Sequence, residues 1–192
     1  MSSRDTTAGQ ERTALRRLAA RGYLPMSAQG VADLCESGLA QSLDDSAIAT
    51  AAGLAAAGAL LLLHPDSDTR LALETCLPDF DALDLRVRRA CTQWQLRPDG
   101  SANDHGDPAY DQAVRDSLAR IHGDALPTLD RLCLALPDLA EYRDLLGQAL
   151  DEFAAGDDRM LASPVVASYH TVWMWLHQEM RLRLGLPPAD QG

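Results

Sequence analysis

Two short stretches gather the side chains best suited to chemistry. The first runs through residues 94–111, WQLRPDGSANDHGDPAYD, and sets Arg97, Asn103, Asp104, His105, Asp107, Tyr110 and Asp111 within fifteen positions of one another, behind Trp94. Together they offer a cation for anionic groups, an imidazole–carboxylate pair for proton transfer, and amide and phenol hydrogen bonds. A polar connector this long favours a functional site over mere linkage. Asx-turns, a helix cap at Asp107 and solvated charges account for the same residues without a ligand. Calcium is excluded by counting. From Asp99, the sixth residue is Asp104 where an EF-hand needs glycine, and the twelfth is Tyr110 where it needs glutamate.

The second stretch, residues 168–179, reads SYHTVWMWLHQE. On a helix His170 and His177 share one face about two turns apart, with Trp173 and Met174 between them and Tyr169 alongside. Such a face can line a pocket with an aromatic floor and two titratable imidazoles. It can equally be a core helix with hydrogen-bonded histidines at its edge. Seven-residue spacing is too long for both rings to grip one metal, and H-E-x-x-H is absent, so no metal site is expected. Neither G-x-G-x-x-G, a Walker motif nor G-x-S-x-G occurs, and no cofactor is implied.

Charge narrows the classes further. The formal net charge is −11, and all 17 basic residues are arginine. An acidic surface repels phosphate backbones. Without lysine there is no Schiff-base chemistry and no P-loop. Cys35, Cys76, Cys91 and Cys133 form no C-x-x-C pair and sit beside aliphatic residues, as buried free thiols of a reducing compartment do. Hydrophobic residues make up 46% of the chain, so disorder is expected only toward the ends, in residues 1–10 and 187–192. The N-terminus has no apolar signal core. The uncharged run 47–63 is short for a membrane span and rich in alanine, and reads as a buried helix running into a strand.

The elements that must position these stretches read as mainly α. Helices are expected over residues 11–24, 27–40 with Ser27 as cap, and 47–58 with an N-cap among Asp44, Asp45 and Ser46. Leu60–Leu63 and residues 70–75 flank a Pro65-Asp66-Ser67-Asp68 turn and read as a β-hairpin. Three helices followed by a hairpin is a winged-helix order, and a plain helical domain is the competing account. A boundary is placed at Pro78-Asp79, giving domains 11–77 and 78–192. The second is expected to be a helical bundle, with helices over 81–94, from Asp107 with a kink or break at Pro127, over 138–155 ending at Gly156, and from Ser163-Pro164 to about Leu184.

The segments CTQWQLRPDGSANDHGDPAYD (91–111) and SPVVASYHTVWMWLHQEM (163–180) resemble actinobacterial MarR-family regulators with an extended helical C-terminal region. The resemblance covers residues 81–186 and reaches the N-terminal third only by pattern. It implies a winged-helix N-terminal part, a homodimer and a small-molecule effector. Its shared stretches fall on Trp94, Gln95, Arg97, Asn103, Asp104, His105, Asp107, Tyr110, Tyr169, His170, Trp173 and His177; it brings no catalytic mechanism, and all of these but Gln95 are the residues expected to be ligand-binding or catalytic.

The sequence departs from a DNA reader where reading would occur. The expected recognition helix, AIATAAGLAAAG, has no arginine, lysine, asparagine or glutamine to reach base edges, and no arginine stands between Gly22 and Thr69. The expectation is therefore a cytoplasmic small-molecule-binding protein of regulator-like build, with direct DNA binding weakened or lost. Its partners would be a ligand or substrate and a second subunit, as a homodimer or hetero-oligomer, with no membrane. A biosynthetic enzyme using an Arg/Asp/His/Trp pocket and a conventional DNA-binding repressor stay open beside it.

Overall fold

The computed structural model describes residues 3–188, so what was expected of residues 1–2 and 189–192 lies outside it. The protein is mainly helical, with one small sheet. It forms two compact units: the chain up to Pro65 together with the stretch from His177 onward, and Asp66–Leu176.

In the first unit α1 spans Ser3–Arg21, well ahead of the start expected at residue 11. Gly22 ends it at φ +83°, donating its N–H to Leu18 O at 2.9 Å. Leu24 then lies in strand β1 (Tyr23–Pro25) rather than in the helix. Helix α2 is shorter than expected, Val31–Glu36, and starts after Gly30 rather than Ser27. A Cβ at Gly30 would stand 2.7 Å from Gln10 O, and φ is +84°, so glycine is required there.

The hairpin is not where the apolar runs suggested. It is β2 (Ala40–Leu43) and β3 (Ser46–Ala49), turning at Asp44–Asp45, with Asp44 at φ 51°. The sheet is antiparallel in the order β1-β3-β2. The two aspartates thus serve a turn instead of a helix cap, which short polar side chains tolerate equally well. Helix α3 follows as Ala51–Leu61, so the 47–63 run is a strand leading into a helix, the reverse of the expected order. Thr50 caps it, accepting from Gly53 N at 3.1 Å and donating to Gly38 O at 2.7 Å. Leu60 and Leu61 belong to this helix, and residues 70–75 belong to the next, so no hairpin forms there. Leu18, Val31, Leu34, Ala47 and Ala57 form the core. The end of α8 (Tyr169–Leu184) joins it through a buried ion cluster: Arg16 Nη1 lies 2.8 and 3.1 Å from the Glu179 oxygens, and Arg183 Nε lies 3.0 Å from Glu179 Oε1.

In the second unit α4 (Asp68–Gln95) and α5 (Pro108–Ala135) are long helices of 28 residues each. The pairs Arg86–Asp124 at 2.7 Å and Arg131–Asp79 at 2.6 Å run in opposite senses, so the two helices are antiparallel. Both continue through an internal proline, Pro78 and Pro127, where a boundary and a kink or break were expected. Glu74 and Gly123, whose carbonyls the prolines leave without an N–H, are exposed, so water can satisfy them. A 3-10 turn (Pro137–Leu139), α6 (Ala140–Ala154) and a short α7 (Arg159–Ala162) complete the unit. Ser163 ends α7, and it is Ser168 whose hydroxyl accepts from Thr171 N, at 3.3 Å, at the start of α8. No helix among the described residues is long and apolar enough to cross a membrane.

Candidate functional site

Residues 96–107 do form the connector between α4 and α5, and Asp107 caps α5 by accepting from Ala109 N and Tyr110 N at 3.1 and 3.2 Å. Almost every polar side chain singled out in it is used to hold the connector itself. Asn103 is buried, and its amide donates to Trp94 O at 3.1 Å and Asp111 Oδ1 at 2.9 Å. His105 Nδ1 lies 3.0 Å from Asp111 Oδ2, and its ring centroid is 4.4 Å from that of Trp94. A carboxylate only accepts, so Nδ1 carries the proton of this bond. His105 holds φ 57°, unusual for a residue with a Cβ.

Arg97 pairs with Asp104 at 3.2 Å and Asp107 at 3.5 Å and lies over the Tyr110 ring, while the Tyr110 hydroxyl donates to Gln93 O and Leu96 O at 2.9 and 3.0 Å. The Gly106 N–H, then Arg97, hold the Asp104 carboxyl below its usual range, and the Ser101 hydroxyl does the same for Asp99. Trp94 itself is buried against Phe153, with the Arg115 guanidinium over its ring at 4.8 Å.

The face of α8 is equally engaged. Trp173 is fully buried, stacks on Phe80 at 4.3 Å, and donates its indole N–H to Asp84 Oδ1 at 3.0 Å. Asp84 in turn pairs with Arg88 at 2.8 Å. Tyr169 is buried, its hydroxyl 3.2 Å from His122 Nδ1. Burial pushes the phenol upward and the His122 imidazole downward, which favours the neutral form of each. His170 is half-buried, and desolvation lowers its pKa too. His177 is buried and belongs to the other compact unit.

The loop and the Trp173 face do not share their partners. Trp173 is held by Asp84 and the loop by Trp94, ten residues further along α4, which is about 15 Å of helix. Trp173 and the connector are thus anchored at different points along α4.

The connector carries an open concavity of about 450 Å³ lined by Arg97, Pro98, Asp99, Ser101, Ala102 and Asp104, a groove of about 560 Å³ runs along Asp79, Leu83, Arg86, Asp124 and Arg131, and two more concave surfaces lie elsewhere on the second unit. One is an open, polar groove of about 510 Å³ walled by His122, Arg143, Asp144, Gln148, Asp151 and Glu152. The other is a mostly apolar groove of about 520 Å³ between the first turns of α4 and the last turns of α5. Leu71, Ala72, Cys76, Leu134 and Ala135 wall it, and Asp68, Thr69, Thr75 and Arg131 edge it. Leu71 and Leu134 are 63% and 86% exposed. Burial pushes the Cys76 thiol up, so it is an uncharged surface. The sequence reading singled out neither Arg131 nor Leu134. One signal was present, since Leu134 falls off the buried stripe of Leu118, Ile121, Ala125, Leu129 and Leu132. Asp84 and His122 gave none, because their partners are 89 and 47 residues away.

Among the described residues, no group of His, Cys, Asp and Glu is placed to hold a metal ion. No family model, no curated protein and no solved structure matches the chain.

Proposed function

We propose that this chain is a small-molecule-binding protein of regulator-like build, with its ligand seat in the α4–α5 groove and with direct DNA binding weakened or lost. The groove carries the reading. Its size falls within the roughly 300–1,000 Å³ of small-molecule sites, and it has their make-up of apolar walls with a few polar groups. Leu71 and Leu134 give it exposed apolar walls.

Kinship with MarR-type winged-helix regulators belongs to the same proposal. Three helices and a three-stranded antiparallel sheet in the first unit support it, while a hairpin that precedes α3 departs from the expected order. The loss of DNA reading is supported by α3 itself, AAGLAAAGALL, which has no hydrogen-bonding side chain for a base edge. The β2–β3 turn, at Asp44–Asp45, is acidic.

The test is a thermal-shift screen of apolar small molecules against the wild type and Ala72→Trp, which fills the groove. Ligands are expected to raise the melting temperature of the wild type only. Equal shifts in both proteins, or none in either, would remove the groove from the proposal, and tight sequence-specific DNA binding in a low-salt gel shift would remove the rest.

A second reading, proton transfer at His105, draws on the Asp111–His105 pair, in which a buried carboxylate orients an imidazole. The groove is preferred because it provides a place for a reactant.

A further inference from the structure

The groove's ends differ in charge, and this bears on what it is built to hold. The argument rests on the groove being the ligand seat. Along α4 the groove extends from Asp68 to Cys76, eight residues and about 12 Å of helix. At the Cys76 end stands Arg131. Its Nη2 donates to Asp79 Oδ2 at 2.6 Å and to Thr128 Oγ1 at 3.2 Å, which fixes the guanidinium in place. A guanidinium has five N–H donors, and no other hydrogen bond of Arg131 is formed among the described residues, so donors remain for an incoming acceptor. Between the ends lie Leu71, Ala72, Leu134 and Ala135, with nothing charged.

We infer that the groove takes an amphipathic carboxylic acid. The carboxylate docks on the spare donors of Arg131, and the hydrocarbon body lies along Leu71, Ala72, Leu134 and Ala135 toward Asp68. Charge sets this direction. An anionic head is repelled at the Asp68 end and attracted at Arg131. A held guanidinium also loses less freedom on binding than a free one, and its hydrogen bonds to a carboxylate are charge-assisted. An ammonium head would go to Asp68 instead; both ends are exposed, and Arg131 differs in offering several donors on a planar fork already held by Asp79 and Thr128.

The experiment is isothermal titration calorimetry of the full chain with decanoate, decanol and decylamine, which share a tail and differ in the head. Decanoate is expected to bind about threefold more tightly than decanol, the scale of an exposed ion pair. Arg131→Gln should remove that preference and leave decanol within about twofold, a difference of less than about 0.5 kcal/mol. Asp79→Asn, which frees the guanidinium from its competing carboxylate, should tighten decanoate, and it keeps the test open if Arg131→Gln does not fold. Decanol binding as well as decanoate, or decylamine binding best, overturns the carboxylate assignment and leaves the groove as a ligand seat. None of the three binding overturns both.

Discussion

Replacing Glu179 by glutamine tests whether the end of α8 is fastened to α1 by charge. The carboxylate is fully buried, and Arg16 and Arg183, both nine-tenths buried, converge on it at 2.8–3.1 Å. Glutamine keeps the shape but removes the negative charge on which both guanidinium groups converge in a water-poor site. Breaking a buried ion cluster by removing one partner costs about 3–5 kcal/mol, because the remaining charge has lost its compensation. At roughly 2–4 °C per kcal/mol for a chain of this size, the melting temperature should fall by about 6–20 °C. Circular dichroism gives the melt. Hydrogen exchange locates the loss, which should appear in α1 and in the last two turns of α8 ahead of α5. The triple replacement Arg16→Met, Glu179→Leu, Arg183→Met removes these three charges together and should melt closer to the wild type than the single variant, since apolar groups of similar volume often replace such clusters without loss. A single variant within about 1 kcal/mol of the wild type would refute the reasoning, and so would a triple variant less stable than the single one.

Asn103→Ala should destabilise the second unit by about 1.5–3 kcal/mol, the worth of hydrogen bonds to a charged group, because its amide bonds both Trp94 O and the buried Asp111 carboxylate. A urea titration with an unchanged midpoint would mean that the connector is held by other contacts. Stability should also fall on acidification. His122 and His170 bind a proton more weakly in the fold than their ordinary value of 6.5, owing to burial, so below about pH 6.5 the unfolded chain takes up more protons and gains on the folded one. The double variant His122→Gln, His170→Gln should flatten the urea midpoint between pH 7 and 5, and a slope equal to the wild type's would show that other groups govern it.

Where local chemistry is decisive, the sequence was enough. Asp107 followed by Pro108 begins α5, and Gly156, at φ 104°, follows the end of α6, because caps and left-handed glycines act within a few residues of themselves. The composition of α3, and with it the doubt about DNA reading, was also legible, since no fold can add side chains that the sequence lacks. Local chemistry fails where one signal serves two structures. Asp44-Asp45 fits a helix N-terminus and a tight turn alike, and only pairing of β3 with both β1 and β2 decided for the turn.

The site residues divide in the same way. Polar side chains crowded into residues 94–111 announce hydrogen bonding, but the sequence cannot tell bonding within a loop from bonding to a ligand. Tertiary structure turned Asn103 inward to Asp111, because buried polar groups are costly unless partnered, and paired Arg97 with Asp104 at the surface. Arg16 meets Glu179 across 163 residues and Trp173 meets Asp84 across 89, and no spacing rule reaches so far. The sequence by itself determined an acidic, lysine-free, mainly helical chain with a base-blind α3. The tertiary structure alone decided which concave surface is left open, because a groove is the space between helices and is written in none of them singly.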